Sequence, residues 1–141
     1  MVDHVSLVRT VEFSAGHHYH RPEWSEEANA RAFGESRHPH GHNWSLTVSV
    51  RGPVDPGTGF VVDLGALDAL LDRVVGPLDQ RDLNEVIPEV QDGSILPSTE
   101  SLARWFWAKL APEIPGDARL ERIRVAELPG LAAEYRGPGV E

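Results

Sequence analysis

His40-Gly41-His42-Asn43-Trp44-Ser45-Leu46-Thr47-Val48-Ser49-Val50-Arg51 alternates without a break. His40, His42, Trp44, Leu46, Val48 and Val50 share one parity, and small or polar residues fill the other. A period of two predicts a β-strand with one buried face. Two imidazoles at i and i+2 on that strand project from the same side, the spacing that holds one metal ion on a rigid platform. Gly41 between them lets backbone or ligand come close. Six of the seven histidines, His17, His18, His20, His38, His40 and His42, crowd between Phe13 and Trp44. Nothing in the composition calls for histidine, so the crowding itself points to a metal site.

Upstream, Val5, Leu7, Val11 and Phe13 alternate with Ser6, Thr10, Glu12 and Ser14. This predicts a first strand whose odd parity runs on through Ala15 to His17. If the two strands pair antiparallel, His17 joins His40 and His42. Three neutral imidazoles with one open position is the donor pattern of a catalytic rather than a structural zinc site. Between the strands, Arg21 to Arg37 is polar and reads as a loop, with one helical turn from Ser25, which caps it.

Downstream, Gly52 to Gly59 is dense in turn residues, and Phe60-Val61-Val62 reads as a short apolar continuation. Asp63 stands as N-cap of a helix whose face is Leu64, Leu67, Leu70, Leu71 and Val74, stopped by Gly76-Pro77. Leu78 to Leu96 reads as a polar connection. Pro97-Ser98-Thr99-Glu100 opens a second helix with Leu102, Trp105, Phe106 and Leu110 inward, ended by Pro112. Strands over Leu120 to Glu127 and Leu131 to Arg136 flank a turn at Pro129-Gly130. Glu127 extends the run of Ile123 and Val125, where an inward charge needs partners. Trp105 and Phe106 read as core, while Trp24 and Trp44, nearer the histidines, are candidates to stack on a ligand ring. Two strands, two helices and two strands make one α+β domain over residues 1–141, with both helices on one face of an antiparallel sheet.

Composition narrows the partners. With 141 residues, a formal charge of -9 and 40% apolar residues, the chain reads as a folded domain with little attraction for nucleic acid or an anionic membrane. A small-molecule substrate remains. The absence of cysteine excludes disulfides, thiolate metal ligands and a cysteine nucleophile. No basic and apolar leader opens the chain and no run reaches bilayer length, so the expected location is the cytoplasm.

Several motifs occur in a telling order: Phe13-Ser14-Ala15-Gly16-His17, Phe33-Gly34, His40-Gly41-His42-Asn43-Trp44, Asp79 before Arg81-Asp82-Leu83-Asn84, Pro97-Ser98-Thr99-Glu100, and Glu127 before Tyr135-Arg136-Gly137. Together they resemble the 6-pyruvoyl tetrahydropterin synthase and 6-carboxytetrahydropterin synthase family. The resemblance implies the tunnelling fold, β-β-α-α-β-β, whose subunits join sheets edge to edge, usually as a homo-hexamer with sites between subunits. It implies Zn2+ held by His17, His40 and His42. It also implies that Glu127 accepts hydrogen bonds from a pterin's amide and amino N–H groups, helped by Ser98, Thr99 and Glu100.

Two positions depart from that family. Its general-base cysteine matches Ser36, and its assisting aspartate–histidine pair matches Asp79 and Gln80. A serine hydroxyl is too weak an acid to replace a thiolate, and glutamine moves no proton. The resemblance therefore implies a zinc-dependent lyase or cyclase, acting on a dihydropterin triphosphate or similar metabolite with a non-standard base. Candidate catalytic residues are Glu35, Ser36, His38 and Asp79, with His18, His20 and a zinc-bound hydroxide as further bases. The alternatives are zinc-assisted carbonyl condensation or cyclisation in specialised metabolism, or a pterin-binding module without turnover.

Overall fold

Two long strands form the spine of the computed structural model, which describes residues 3–141. Strand β1 (His4–His17) and strand β2 (His40–Pro53) pair antiparallel over their whole length, with Phe13 opposite Trp44, Ala15 opposite His42 and His17 opposite His40. No bulge interrupts this ladder, so the parity read from sequence survives to the strand end. Strand β3 (Arg81–Asp82) adds a short parallel pairing to β1 at Ala15 and Gly16. Strands β4 (Arg119–Leu128) and β5 (Leu131–Tyr135) complete the order β3-β1-β2-β4-β5.

Helices α2 (Leu64–Val75) and α5 (Thr99–Leu110) supply the second layer. Asp63 and Ser98 cap them, accepting from Ala66 N and Ser101 N at 3.1 Å each, the first as its position predicts. Phe13, Trp44, Leu46, Val48, Ile123 and Val125 of the sheet pack with Leu67, Leu71, Leu102, Phe106 and Leu110 in one buried cluster. The other sheet face is polar, carrying the Thr10–Thr47 hydroxyl pair at 2.8 Å and Arg122 bonded to Glu134 at 3.1 Å.

The connections hold more structure than the sequence suggests. The turn expected at Ser25 is a helix, α1 (Glu26–Phe33), because buried Asn29 bonds Arg21 N, Arg21 O and Ser25 O and fastens the helix to the preceding loop. The stretch expected to be a polar connection contains β3, α3 (Leu83–Val86) and α4 (Pro88–Gln91), which bury Leu83, Ile87 and Val90. Helices of four residues are too short to show a period. Phe60-Val61-Val62 forms no strand. Asp55 closes that loop by donating its N–H to Phe60 O at 2.9 Å, Val62 turns into the core, and Phe60 stays 63% exposed.

Candidate metal centre

Strand pairing assembles the three predicted ligands at one end of the core face. Ligand nitrogens of His17, His40 and His42 lie within 4.8 Å of one another. His17 is buried, and the other two are half-buried. Ala15, opposite His42, is small enough to leave the rings room.

Hydrogen bonds fix which nitrogen each ring offers. His17 Nδ1 is 2.8 Å from the Pro97 carbonyl, and His40 Nδ1 is 2.8 Å from the His38 carbonyl. A carbonyl only accepts, so each Nδ1 carries the hydrogen and a neutral ring presents its Nε2 lone pair to the site. Backbone carbonyls behind metal-binding imidazoles do the same work in known metal sites. His17 Nε2 is buried without a hydrogen-bond partner, the mark of a ligand atom. Burial pushes the His17 imidazole down to about 4, and the neighbouring His40, His42 and His18 add to the fall against the opposing bond to Pro97. The ring is thus neutral and ready to ligate at pH 7. These donors fit zinc, and other divalent ions that accept imidazole.

Below the ligands lies Trp44, fully buried, stacked on Phe13 at 6.0 Å with His17 edge-on at 4.8 Å. Its indole N–H donates to the Ala15 carbonyl at 3.0 Å. This corrects the expectation of a substrate platform: Trp44 is the floor that holds His17. Trp24 stacks on Phe33 instead, at 5.8 Å.

The predicted substrate residues border the centre. Ser98 caps α5 directly after Pro97, Thr99 is buried, and its hydroxyl donates to Glu100 Oε1 at 2.6 Å, holding that carboxyl below its ordinary value. Glu127 Oε2 approaches both His17 Nε2 and His42 Nε2 at 3.4 Å.

The predicted catalytic residues are placed less uniformly. Glu35 and Ser36 sit on a single 3-10 turn, Gly34–Arg37, with Glu35 exposed. The Ser36 carbonyl accepts from Tyr19 N at 3.1 Å, which ties the turn to the chain just past His17. His38, with His20, lines a separate cavity of about 450 Å³ beside α1. What His38 brings to the centre is its carbonyl. Asp79 Oδ1 accepts from Ser14 N at 2.9 Å, and Gln80 N donates to Ser14 O at the outer edge of β1.

Sequence reading missed Tyr19, whose ring meets His17 at 5.1 Å. Burial, with the Glu127 and Glu100 charges, pushes its hydroxyl up to about 12. The odd parity of β1, carried two residues beyond His17, would have found it. Asn84 was noted only as part of a motif; its side chain bonds both the N–H and the carbonyl of His18 at 3.0 Å.

Comparison with known proteins supplies the wider frame. The family model for 6-pyruvoyl tetrahydropterin synthase matches residues 6–138. A 6-pyruvoyl tetrahydrobiopterin synthase of Poecilia reticulata is 35% identical over 134 residues, covering 93% of this chain and 89% of that protein. A dihydroneopterin monophosphate aldolase of Pyrococcus furiosus is 31% identical over 121 residues, covering 86% and 88%. The structure of Caenorhabditis elegans 6-pyruvoyl tetrahydropterin synthase matches with a TM-score of 0.89 at 28% identity, over 96% of this chain and 97% of that one.

Proposed function

The chain belongs to the 6-pyruvoyl tetrahydropterin synthase family, and on that premise we propose that it is a zinc-dependent lyase acting on a dihydropterin with a phosphorylated side chain. The observation that carries the reading is the convergence of His17, His40 and His42 beside the capped start of α5. Bound by those imidazoles, zinc would polarise a hydroxyl or carbonyl oxygen of the substrate side chain. Ser98, Thr99, Glu100 and Glu127 hold the ring, the carboxylates accepting from its N–H groups.

Glu35 is the residue we assign to proton transfer. His38 lines another cavity, Asp79 spends an oxygen on Ser14, and Ser36 and Gln80 offer no group that ionises near neutrality. A carboxylate on an exposed turn, fastened to the strand end by Tyr19 N and Ser36 O, is free to reach a substrate. The relatives named synthase and aldolase make either carbon–oxygen or carbon–carbon cleavage of the side chain a fitting reaction. Both need one base and one polarised oxygen.

One domain, assembled as a homo-hexamer with sites between subunits, fits the sheet edges. β3 pairs with β1 only at Ala15 and Gly16, and the outer side of β5 pairs with no strand among the described residues. Open edges of this length call for a partner strand. No helix among the described residues is long and apolar enough to cross a membrane.

The departures at Ser36 and Gln80 favour one second reading, a pterin-binding module without turnover. The test is to incubate zinc-loaded protein with 7,8-dihydroneopterin triphosphate and with the monophosphate, with and without chelator, and to follow products by mass spectrometry. Chelator-sensitive cleavage is the expected result. Tight binding without product would establish the binding module; neither binding nor product would overturn the pterin reading and turn attention to carbonyl condensation.

A further inference from the structure

Glu127 Oε2 stands 3.4 Å from His17 Nε2 and 3.4 Å from His42 Nε2. Since His17 Nδ1 donates to Pro97, its neutral ring turns a lone pair toward Glu127, and a carboxylate oxygen has only lone pairs to offer in return. Two acceptors at this distance repel one another unless a proton or a metal cation lies between them. The spacing fits such a cation, because with bonds of about 2.1 Å two ligands of a tetrahedral zinc stand about 3.4 Å apart. We propose that Glu127 is the fourth protein ligand of the resting metal centre, closing the coordination sphere begun by His17, His40 and His42.

The backbone explains how a strand residue reaches that position. Ala126 pairs with Ala132 and Leu128 with Leu131, so the register slips by one and Glu127 is left as the unpaired residue of a β-bulge. Bulges re-aim side chains next to sites. On the other side, Ser45 pairs with Ala126, which puts Glu127 at the level of Trp44, one pleat from His42. Its side chain is only 13% exposed.

A closed centre changes the first event at the site. With zinc bound, an incoming substrate oxygen would have to displace Glu127 rather than a water, which would free the carboxylate for the pocket. That it then receives a pterin's N–H groups rests on the function proposed above; the ligand role does not. The rival arrangement places a proton rather than a metal between Glu127 and the imidazoles.

Cobalt-loaded full-length protein tests the proposal in wild type, Glu127→Gln and Glu127→Ala. Loss of the carboxylate should shift the cobalt d–d bands and weaken zinc, measured by competition with a chromophoric chelator, by at least about tenfold. Unchanged bands and an affinity within about twofold of wild type in both variants would overturn it and favour the proton. Circular dichroism establishes that each variant is folded. Should the alanine variant fail to fold, the glutamine variant and an azide titration of wild-type cobalt protein decide. A closed sphere resists azide more than the glutamine variant does; equal azide sensitivity would show an open position and sink the idea. None of these readouts involves turnover, so failure of the pterin reading leaves them untouched.

Discussion

His40 and Glu35 are near neighbours in sequence, yet they are held in opposite ways. The metal pole is fixed from behind: His17 by Pro97 and Trp44, His40 by the carbonyl of His38. The turn carrying Glu35 and Ser36 is exposed at Glu35 and fastened through backbone groups, so its side chains bear little of the fold. On the function proposed above, a site built this way would keep its metal ligands and the start of α5 when the proton-transfer residue is exchanged. Ser36, whose carbonyl accepts from Tyr19 N, stands where the family resemblance expects a thiol.

The most damaging way to break the contrast is to strike the pole. His40→Ala should reduce bound zinc to background by elemental analysis and lower turnover about a thousandfold or more, because several kcal/mol of charge stabilisation leave with the metal. Retained zinc at one per chain would show that the three histidines are not the ligand set.

Striking the turn should separate chemistry from binding. Glu35→Gln is expected to lower kcat about 10²–10⁴-fold with zinc content and thermal stability unchanged. An unaltered kcat would remove Glu35 from the reaction.

The pole also predicts a pH dependence that the turn does not. In metal-free protein His17 stays neutral down to about 4, whereas the unfolded chain binds that proton from about 6.5 downward. The unfolded state therefore takes up more protons in this window, so the His17 contribution is complete above pH 6.5 and lost as pH falls toward 4. The loss amounts to at most about 3 kcal/mol, read from urea midpoints, and His17→Gln should flatten it. A wild-type midpoint that holds steady across the window would contradict the neutral, buried state of this ring.

Smaller effects complete the series. Ser98→Ala should cost about 1 kcal/mol by removing the cap of α5. Ser36→Ala should alter kcat less than about twofold, since only its carbonyl is engaged. A large loss of kcat would return the serine hydroxyl to the mechanism.

The same contrast explains what could be read in advance. His17 was legible because β1 and β2 pair without a bulge, so period-two counting holds from Val5 to the strand end. The caps at Ser25 and Asp63 were legible because each acts locally. Glu127 was legible as an inward charge, but its approach to the imidazoles depends on a register slip in β4 that no local pattern announces. Trp44 was misjudged because alternation gives the face of a residue and not its depth; the layer above it is built by α5, far along the chain. The carbonyls of Pro97 and His38 were invisible, since any residue type can supply one.

One of those carbonyls has a consequence for the order of events. Pro97 O serves His17, and Ser98, Thr99 and Glu100 follow it as the start of α5. A metal on His17 Nε2 would be joined through Nδ1 and the Pro97 carbonyl to the peptide that precedes the cap of α5. That linkage predicts that metal loading precedes substrate. Pre-steady-state mixing should show an immediate approach to steady turnover when zinc is already bound, and a lag when zinc and substrate arrive together.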